Sequence, residues 1–288
     1  MIVLTGAGGF VGSVVLGYLN KQGITDVILV DDLPFDNQFK NLIGKQYLSL
    51  HSTEDIFDTI KNVDAVIHIG ANSSTLEKNW KSLYNTNVVS TRKWNAYCQQ
   101  NNIPFIFTSS AAVYGNGNGP LNHYAFSKLS SENEITGVVL RLFNVYGPNE
   151  YHKDRMASTI FHWYNQLVSS NEIKIFENSS QYFRDFVYVE DVARIIYFFL
   201  TQYKPGIYDI GSGVSESFTD IADYTIMHFG KGNKNVIPMP QDLQLQYQKN
   251  TRADLSKLSS SGFDINTLTT AYTGVEKYIE FLKTNRYY

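Results

Sequence analysis

Cys98 is the only cysteine in this chain, so no intrachain disulfide can staple it. Stability must come from a packed core, and Cys98 reads as a small buried hydrophobe in a reducing compartment. Proline is scarce at 7 residues, and charged residues make up only 18%. A formal net charge of −3 offers no field for nucleic acid or an acidic membrane, although a local basic pocket is compatible with it. Long apolar runs are missing as well: stretches such as "IIYFFL" at 195–200 are far too short to span a bilayer. The histidines (His51, His68, His123, His152, His162 and His228) show no ligand spacing, and no metal site is expected. No basic leader precedes the first strand-like run at Ile2, so the cytoplasm is the expected location.

What is present is ample apolar content, 43% over 288 residues, enough for one large domain or two associated ones. The first half alternates β-rich runs (2–5, 26–31, 64–70, 104–110, 137–143) with helical spacing (11–22, 54–61, about 78–101, 123–134). The strand runs are continuously apolar, as in a parallel sheet covered by helices on both faces, and the alternation predicts a doubly wound, Rossmann-like α/β fold. Beyond "NVYGPNE" the pattern loosens into a helix near 155–169, a strand near 173–176, and short helices and loops over about 215–288. A dinucleotide-binding domain over 1–145 and a substrate lobe over 146–288 are expected, with 183–212 packing back onto the first. A substrate would sit in the cleft between them.

"TGAGGFVG" places Gly6, Gly9 and Gly12 between a strand and a helix. Gly6 suits the tight turn, Gly9 lets backbone approach a pyrophosphate, and Gly12 lets the helix pack closely, its N-terminal N–H groups facing the anion. Asp31 closes the second strand, where a carboxylate accepts from an adenosine ribose. Asp31 and Asp32 together would repel a 2′-phosphate, and Lys40 is the only cation nearby, which favours NAD over NADP.

The strand ending "FTSS" brings Ser109 and Ser110 to the carboxyl edge of the sheet, where such folds bind ligands. Tyr124 and Lys128 follow, one helical turn apart. Ser110 would hold a substrate hydroxyl and Tyr124 would take its proton, while Lys128 would favour the phenolate and bind nicotinamide ribose.

These segments ("TGAGGFVG", "SSAAVYG", "YAFSK", "RLFNVYGP", "RDFVYVEDV") resemble the extended short-chain dehydrogenase/reductase superfamily. A closer likeness, in "HIGANSST", "NEYHKDRMASTIFH", "IFENSSQYFRDFVYVEDV" and "LQYQKNTRADL", is to the ADP-glycero-manno-heptose 6-epimerases. That resemblance implies a tightly bound NAD or NADP, a nucleotide-diphosphate sugar substrate and a homo-oligomer. It implies acid/base roles for Tyr124 and Lys153, and cofactor contacts from Phe10, Val11, Ile69, Gly70, Ala71, Asn87, Ser109 and Val145. Substrate contacts fall on Ser73, Asn144, Arg155, His162, Phe176, Arg184 and Tyr247. Gln38 and Thr53 stand where that family carries lysines for the NADP phosphate, and Arg155 replaces a small serine. Ala111 and Ala112 lack the acidic pair of the dehydratases, and Cys98 lies too early for the cysteine of the fucose-nucleotide enzymes. A UDP-hexose 4-epimerase and a non-catalytic dinucleotide-binding regulator are the alternatives. Only 14 positions separate Ser110 from Tyr124, so Gly115–Pro120 reads as a trimmed, mobile rim, and the short helix after it weakens the usual helix-bundle dimer.

Overall fold

The computed structural model describes residues 1–53, 56–57, 59–240 and 249–288. Its core is a 7-stranded sheet in the order β10-β6-β5-β4-β1-β2-β3. These strands are β1 Ile2–Thr5, β2 Val27–Val30, β3 Ser49–His51, β4 Ala65–His68, β5 Phe105–Ser110, β6 Val138–Leu142 and β10 Gly206–Ile210. Every pairing is parallel, and β1, β2 and β4 are buried throughout, which is why their sequences read as unbroken apolar runs. The doubly wound fold expected from the alternation is the fold found.

Helix α1 (Phe10–Lys21) covers one face together with α6 (Val189–Thr201); Val14, Leu16 and Leu19 share a cluster with Val192, Ile196 and Phe199. On the other face Trp94 and Cys98 of α3 (Ser90–Asn101) pack with Phe105, Phe107 and Val139. Where one long helix was expected, α2 (Trp80–Leu83) passes through a π-helical segment, Tyr84–Val89, before α3. Asn87, within this wider turn, is buried. Residues 54, 55 and 58, within the helix expected at 54–61, lie outside the described residues.

The remaining chain builds a second layer. Strands β7 (Asn144–Tyr146), β9 (Phe183–Tyr188) and β11 (Ser215–Ser217) form one small sheet, and β8 (Glu172–Phe176) pairs with β12 (Asn233–Ile237). Helices α5 (Thr159–Ser170), α7 (Phe218–Phe229) and α9 (Ala271–Lys283; α8 is Ser256–Ser260) close a core around Tyr146, Trp163, Ile221 and Tyr278. The late region therefore holds long helices rather than the short ones expected, α7 opening on a Ser217/Asp220 capping box. Strands of 3 residues, as in β7 and β11, carry too little period to announce themselves. Among the described residues no helix is long and apolar enough to cross a membrane.

Helix α4 (His123–Glu132) begins at Asn122, whose side chain accepts from the Ala125 N–H, and ends in a buried ion pair. Glu132 is forked by Arg141 of β6 (Nε to Oε1 3.0 Å, Nη2 to Oε2 2.5 Å) and accepts from Ser109 Oγ at 2.5 Å. A buried carboxylate stripped of its cation is costly. Arg141→Leu is expected to lower stability by about 3–5 kcal/mol, and Glu132→Leu in the same chain is expected to restore most of the loss, both read by urea denaturation.

Candidate active site

Gly6 turns the chain out of β1 with φ +66°, and a Cβ there would lie 2.6 Å from the Gly70 nitrogen. A Cβ on Gly12 would lie 2.0 Å from the Gly6 oxygen, so α1 seats on the loop only because that position is bare. Gly9 is the N-cap of α1, supplies no side-chain cap, and no acidic residue occupies the first turn. An uncapped helix start against bare backbone suits a pyrophosphate.

Asp31 is half-buried at the end of β2. Its Oδ2 accepts the Gly8 N–H (2.9 Å) and its Oδ1 the Leu33 N–H (2.8 Å), with the Gln38 amide at 3.4 Å. Burial raises its pKa, against those backbone bonds. Asp32 points the other way, to the Thr53 N–H (2.8 Å) and hydroxyl (2.5 Å) and to Ser52 Oγ (2.7 Å). Slight burial would raise Asp32, but the Thr53 and Ser52 bonds outweigh it and hold the carboxyl below its ordinary range. Gln38 and Thr53 thus bind the two carboxylates from the positions where lysines were looked for. With spare lone pairs on Asp31 and the open helix start, these residues fit a dinucleotide.

Ile69, Gly70 and Ala71 run half-buried past Gly6, with Gly70 N–H on Thr5 Oγ1 (3.0 Å). A buried chain continues below: Thr5 to His68 Nδ1 (2.7 Å), His68 Nε2 to Thr91 (3.0 Å), Thr91 to the Asn87 carbonyl (2.5 Å). Because Thr91 donates to Asn87, His68 carries its proton on Nε2, and burial pushes its pKa down to about 3. Asn87 itself is occupied by Asn72 and by Ser127 Oγ (2.8 Å), a structural bracing role that the expected cofactor contact did not include. Phe10 is buried, Val11 half-buried, and Val145 pairs with Val187 in the second layer.

Ser110 ends β5, and its Oγ accepts the Ala112 N–H at 3.2 Å. Tyr124 is buried on α4; desolvation raises its pKa and a hydrogen bond with Ser110 works against that. Lys128, expected to favour the phenolate and to bind nicotinamide ribose, turns its ammonium to the neighbouring strand. Lys128 is only 3% exposed, donates to the Thr108 carbonyl at 2.8 Å and lies 4.7 Å from the Phe107 ring centroid. Burial lowers its pKa to about 7, with Glu132 one turn on pulling the other way. Ser109, expected at the cofactor, is also redirected, its hydroxyl held by Glu132.

The rim is not an open spacer. Gly115 and Gly119 bridge each other, and the N–H groups of Gly117 (2.9 Å) and Gly119 (3.3 Å) both return to the Tyr114 carbonyl. A Cβ on Gly115 would fall 1.8 Å from the Gly119 oxygen, so the glycines make a closed turn. Tyr114 anchors it, accepting from Arg141 (2.8 Å) and donating to Asp209 (2.7 Å).

On the second layer, Lys153 sits in a 3-10 turn, Tyr151–Met156, with its ammonium 5.2 Å from the Phe10 ring centroid. Desolvation lowers its pKa while Glu150 opposes the shift. Arg155, Asn144 and Ser73 are exposed and His162 is half-buried on α5. Arg184 is buried, 5.6 Å from the Phe218 ring, which lines a cavity of about 90 Å³ with Phe176, Trp163, Tyr182 and Lys174. Tyr247 lies outside the described residues. Sequence reasoning missed Asp185, whose carboxylate accepts from Ser212 N–H (2.6 Å), Ser212 Oγ (2.8 Å), Gly213 N–H (2.9 Å) and Ala253 N–H (3.0 Å). Its place beside Arg184 in "RDFVYVEDV" was the available signal.

Lys128 gives this site a stability signature. Its pKa falls from 10.5 to about 7 on folding, so the unfolded chain binds the extra proton between those values and stability rises with pH across that window. Lys128→Met is expected to remove on the order of 2 kcal/mol of the rise between about pH 7 and 9, read by urea denaturation at both values.

Against known proteins, the NAD dependent epimerase/dehydratase family matches residues 2–211. The ADP-L-glycero-D-manno-heptose-6-epimerase of Helicobacter pylori is similar at 26% identity and TM-score 0.83, covering 98% of this chain and 96% of that one. A UDP-glucuronic acid 4-epimerase from Bacillus cereus, solved with UDP-glucuronic acid and NAD, is similar at 25% identity and TM-score 0.83, covering 99% of each chain. A UDP-N-acetylglucosamine 4-epimerase from Methanobrevibacter ruminantium M1 shares the fold at 22% identity and TM-score 0.86, over 99% of this chain and 98% of its own. With its glycine loop, its Tyr124/Lys128 helix and a match over most of its length, this chain belongs to the NAD dependent epimerase/dehydratase family.

Proposed function

We propose that this protein is a nucleotide-sugar epimerase, and specifically an ADP-glycero-manno-heptose 6-epimerase. The observation that supports the reaction class is that Tyr124 hydrogen-bonds with Ser110 at the end of β5, while Lys128, one turn on, is fixed to the Thr108 carbonyl of the same strand. The likeness to the Helicobacter pylori heptose epimerase and the segment around Lys153 support the finer assignment. The dinucleotide, when bound against Gly6–Gly12 and Asp31, supplies a hydride acceptor that can give the hydride back. Ser110 holds the sugar hydroxyl by hydrogen bonding, and Tyr124 takes its proton. Lys128, titrating near neutrality, supplies positive charge behind Tyr124 without bonding to it. Lys153, reaching in from the other layer, serves as the second acid/base, and Arg184 binds the diphosphate at the edge of the aromatic cavity. An exocyclic carbon suits this pair, because rotating one small group presents its other face.

The dinucleotide is NAD in this reading. Asp31 and Asp32 are bound by Gln38 and Thr53, neutral side chains that give a 2′-phosphate no countercharge. NAD is expected to bind more tightly than NADP by isothermal titration; tighter NADP binding would overturn this preference.

The substrate is tested by incubating the protein with ADP-D-glycero-D-manno-heptose and, in parallel, UDP-glucose, following stereochemistry by NMR. Conversion of the heptose is expected; conversion of UDP-glucose instead would mark a hexose 4-epimerase. Tyr124→Phe is expected to cut turnover by roughly 10²–10⁴-fold while leaving dinucleotide binding intact. A protein with no turnover on either sugar, and a Tyr124→Phe variant indistinguishable from it, would mark a binding protein rather than an enzyme.

A further inference from the structure

Lys153 belongs to a short 3-10 turn, Tyr151–Met156, that is interrupted at Asp154 and too brief to hold itself in place. A lysine on a four-carbon stem delivers its ammonium to one point only if its backbone is fixed. The loop starts at Asn149, which is fully buried and has a left-handed φ of +74°. Directly after Lys153, Asp154 has φ 44° and ψ −123°, a second conformation that non-glycine residues rarely adopt. Surrounding contacts must hold both.

Asn149 is held through both ends of its side-chain amide and through its carbonyl. Its Nδ2 donates to Ser13 Oγ on α1 (2.9 Å), its Oδ1 accepts the Tyr288 N–H (2.9 Å), and its carbonyl meets Asn41 Nδ2 at 3.4 Å. Asn41 also donates to the Gly8 carbonyl (2.9 Å) and meets His152 Nδ1 (3.2 Å), so the same hub touches the glycine loop and the residue before Lys153. Tyr288 is itself seated. Its ring lies so close to Gly17 that a Cβ there would be 3.0 Å away, with the Lys21 ammonium 3.8 Å from the ring centroid. Two residues earlier the Arg286 carbonyl accepts from Tyr151 Oη (3.1 Å), and the Tyr151 and Tyr287 rings stand 5.1 Å apart. At the loop's far end the Ser158 N–H (2.5 Å) and hydroxyl (2.7 Å), at the start of α5, donate back to Glu150.

We propose that Asn149 and the segment 286–288 form a clamp that positions Lys153 over the start of α1. The clamp ties one loop to α1, to the glycine loop and to residues far along the chain, and so couples the second layer's acid/base to the dinucleotide cradle. It rests on the acid/base reading of Lys153, and Asn149 acts in it as a positioning residue that touches no substrate.

Two substitutions test it on the full chain. Asn149→Gly keeps the backbone conformation, since glycine adopts positive φ freely, and removes only the side-chain bonds. Tyr288→Ala empties the seat on Gly17 and is read in parallel should the first variant fold poorly. Hydrogen exchange is expected to rise roughly tenfold or more across 150–156 in both, with α4 unchanged. With the sugar that the protein converts, kcat is expected to fall roughly 10–100-fold with little change in KM. In a Lys153→Ala background Asn149→Gly is expected to cause no further loss. Unchanged exchange across 150–156 in both variants would overturn the clamp. So would an equal fall in kcat with and without Lys153. If Lys153→Ala alone leaves turnover intact, the acid/base reading fails, and the exchange measurement still decides whether the clamp holds the loop.

Discussion

Burying Lys128 is the constraint around which this site is arranged. An ammonium almost removed from solvent is unfavourable unless polar groups and charge replace the water. Here the Thr108 carbonyl, the face of Phe107 and the carboxylate of Glu132 one turn away do so in part, and desolvation still lowers the lysine's pKa to about 7. Each has a structural consequence. The Thr108 bond docks α4 against β5, which sets Tyr124 beside Ser110. The Glu132 carboxylate is itself buried and needs a cation, so Arg141 of β6 forks it, and Ser109 fills its remaining lone pair. Arg141 then reaches Tyr114, and Tyr114 reaches Asp209 on the edge strand β10. One buried lysine thus accounts for a polar path running from α4 to the rim and across three strands.

The glycine loop obeys a different constraint, that of close approach. Gly6 meets Gly70 and Gly12 meets Gly6 at distances that exclude any side chain, so β1, the β4 exit and α1 converge on bare backbone. Convergence leaves the start of α1 without a side-chain cap. The second layer supplies what this cradle lacks. Asp185 pins β9 to the turn after β10 with three accepted bonds and to Ala253 with a fourth, and it thereby holds Arg184 beside the cavity. The Lys153 loop is pinned to α1 through Asn149. Both tethers cross from one layer to the other, so the layers are joined by hydrogen bonds as well as by packing.

Local pattern made much of this legible. Continuous apolar runs revealed the central strands, because burial on both faces leaves no polar alternation. The glycine spacing and the Asp31 strand end revealed the loop, because they answer to local backbone geometry. The four-residue step from Tyr124 to Lys128 showed a shared helix face. Less legible were the partners. Nothing near Ser109 in sequence says that its hydroxyl is taken by Glu132, or that Lys128 turns to a carbonyl of the neighbouring strand. The rim glycines read as looseness, since composition reports conformational freedom and not the turn that uses it. Strands of three residues, as in β7 and β11, carry too short a pattern to register.

The sequence by itself determined the doubly wound sheet, the dinucleotide loop and the identity of the residues at its carboxyl edge, because each follows from contacts within a few positions or from a repeating burial pattern. Tertiary structure alone decided protonation and position. The low pKa of Lys128, the neutral state of His68, the bracing of Asn87 and the clamp at Asn149 depend on groups brought together from distant positions. Desolvation and hydrogen bonding act through space, and only the folded chain defines that space.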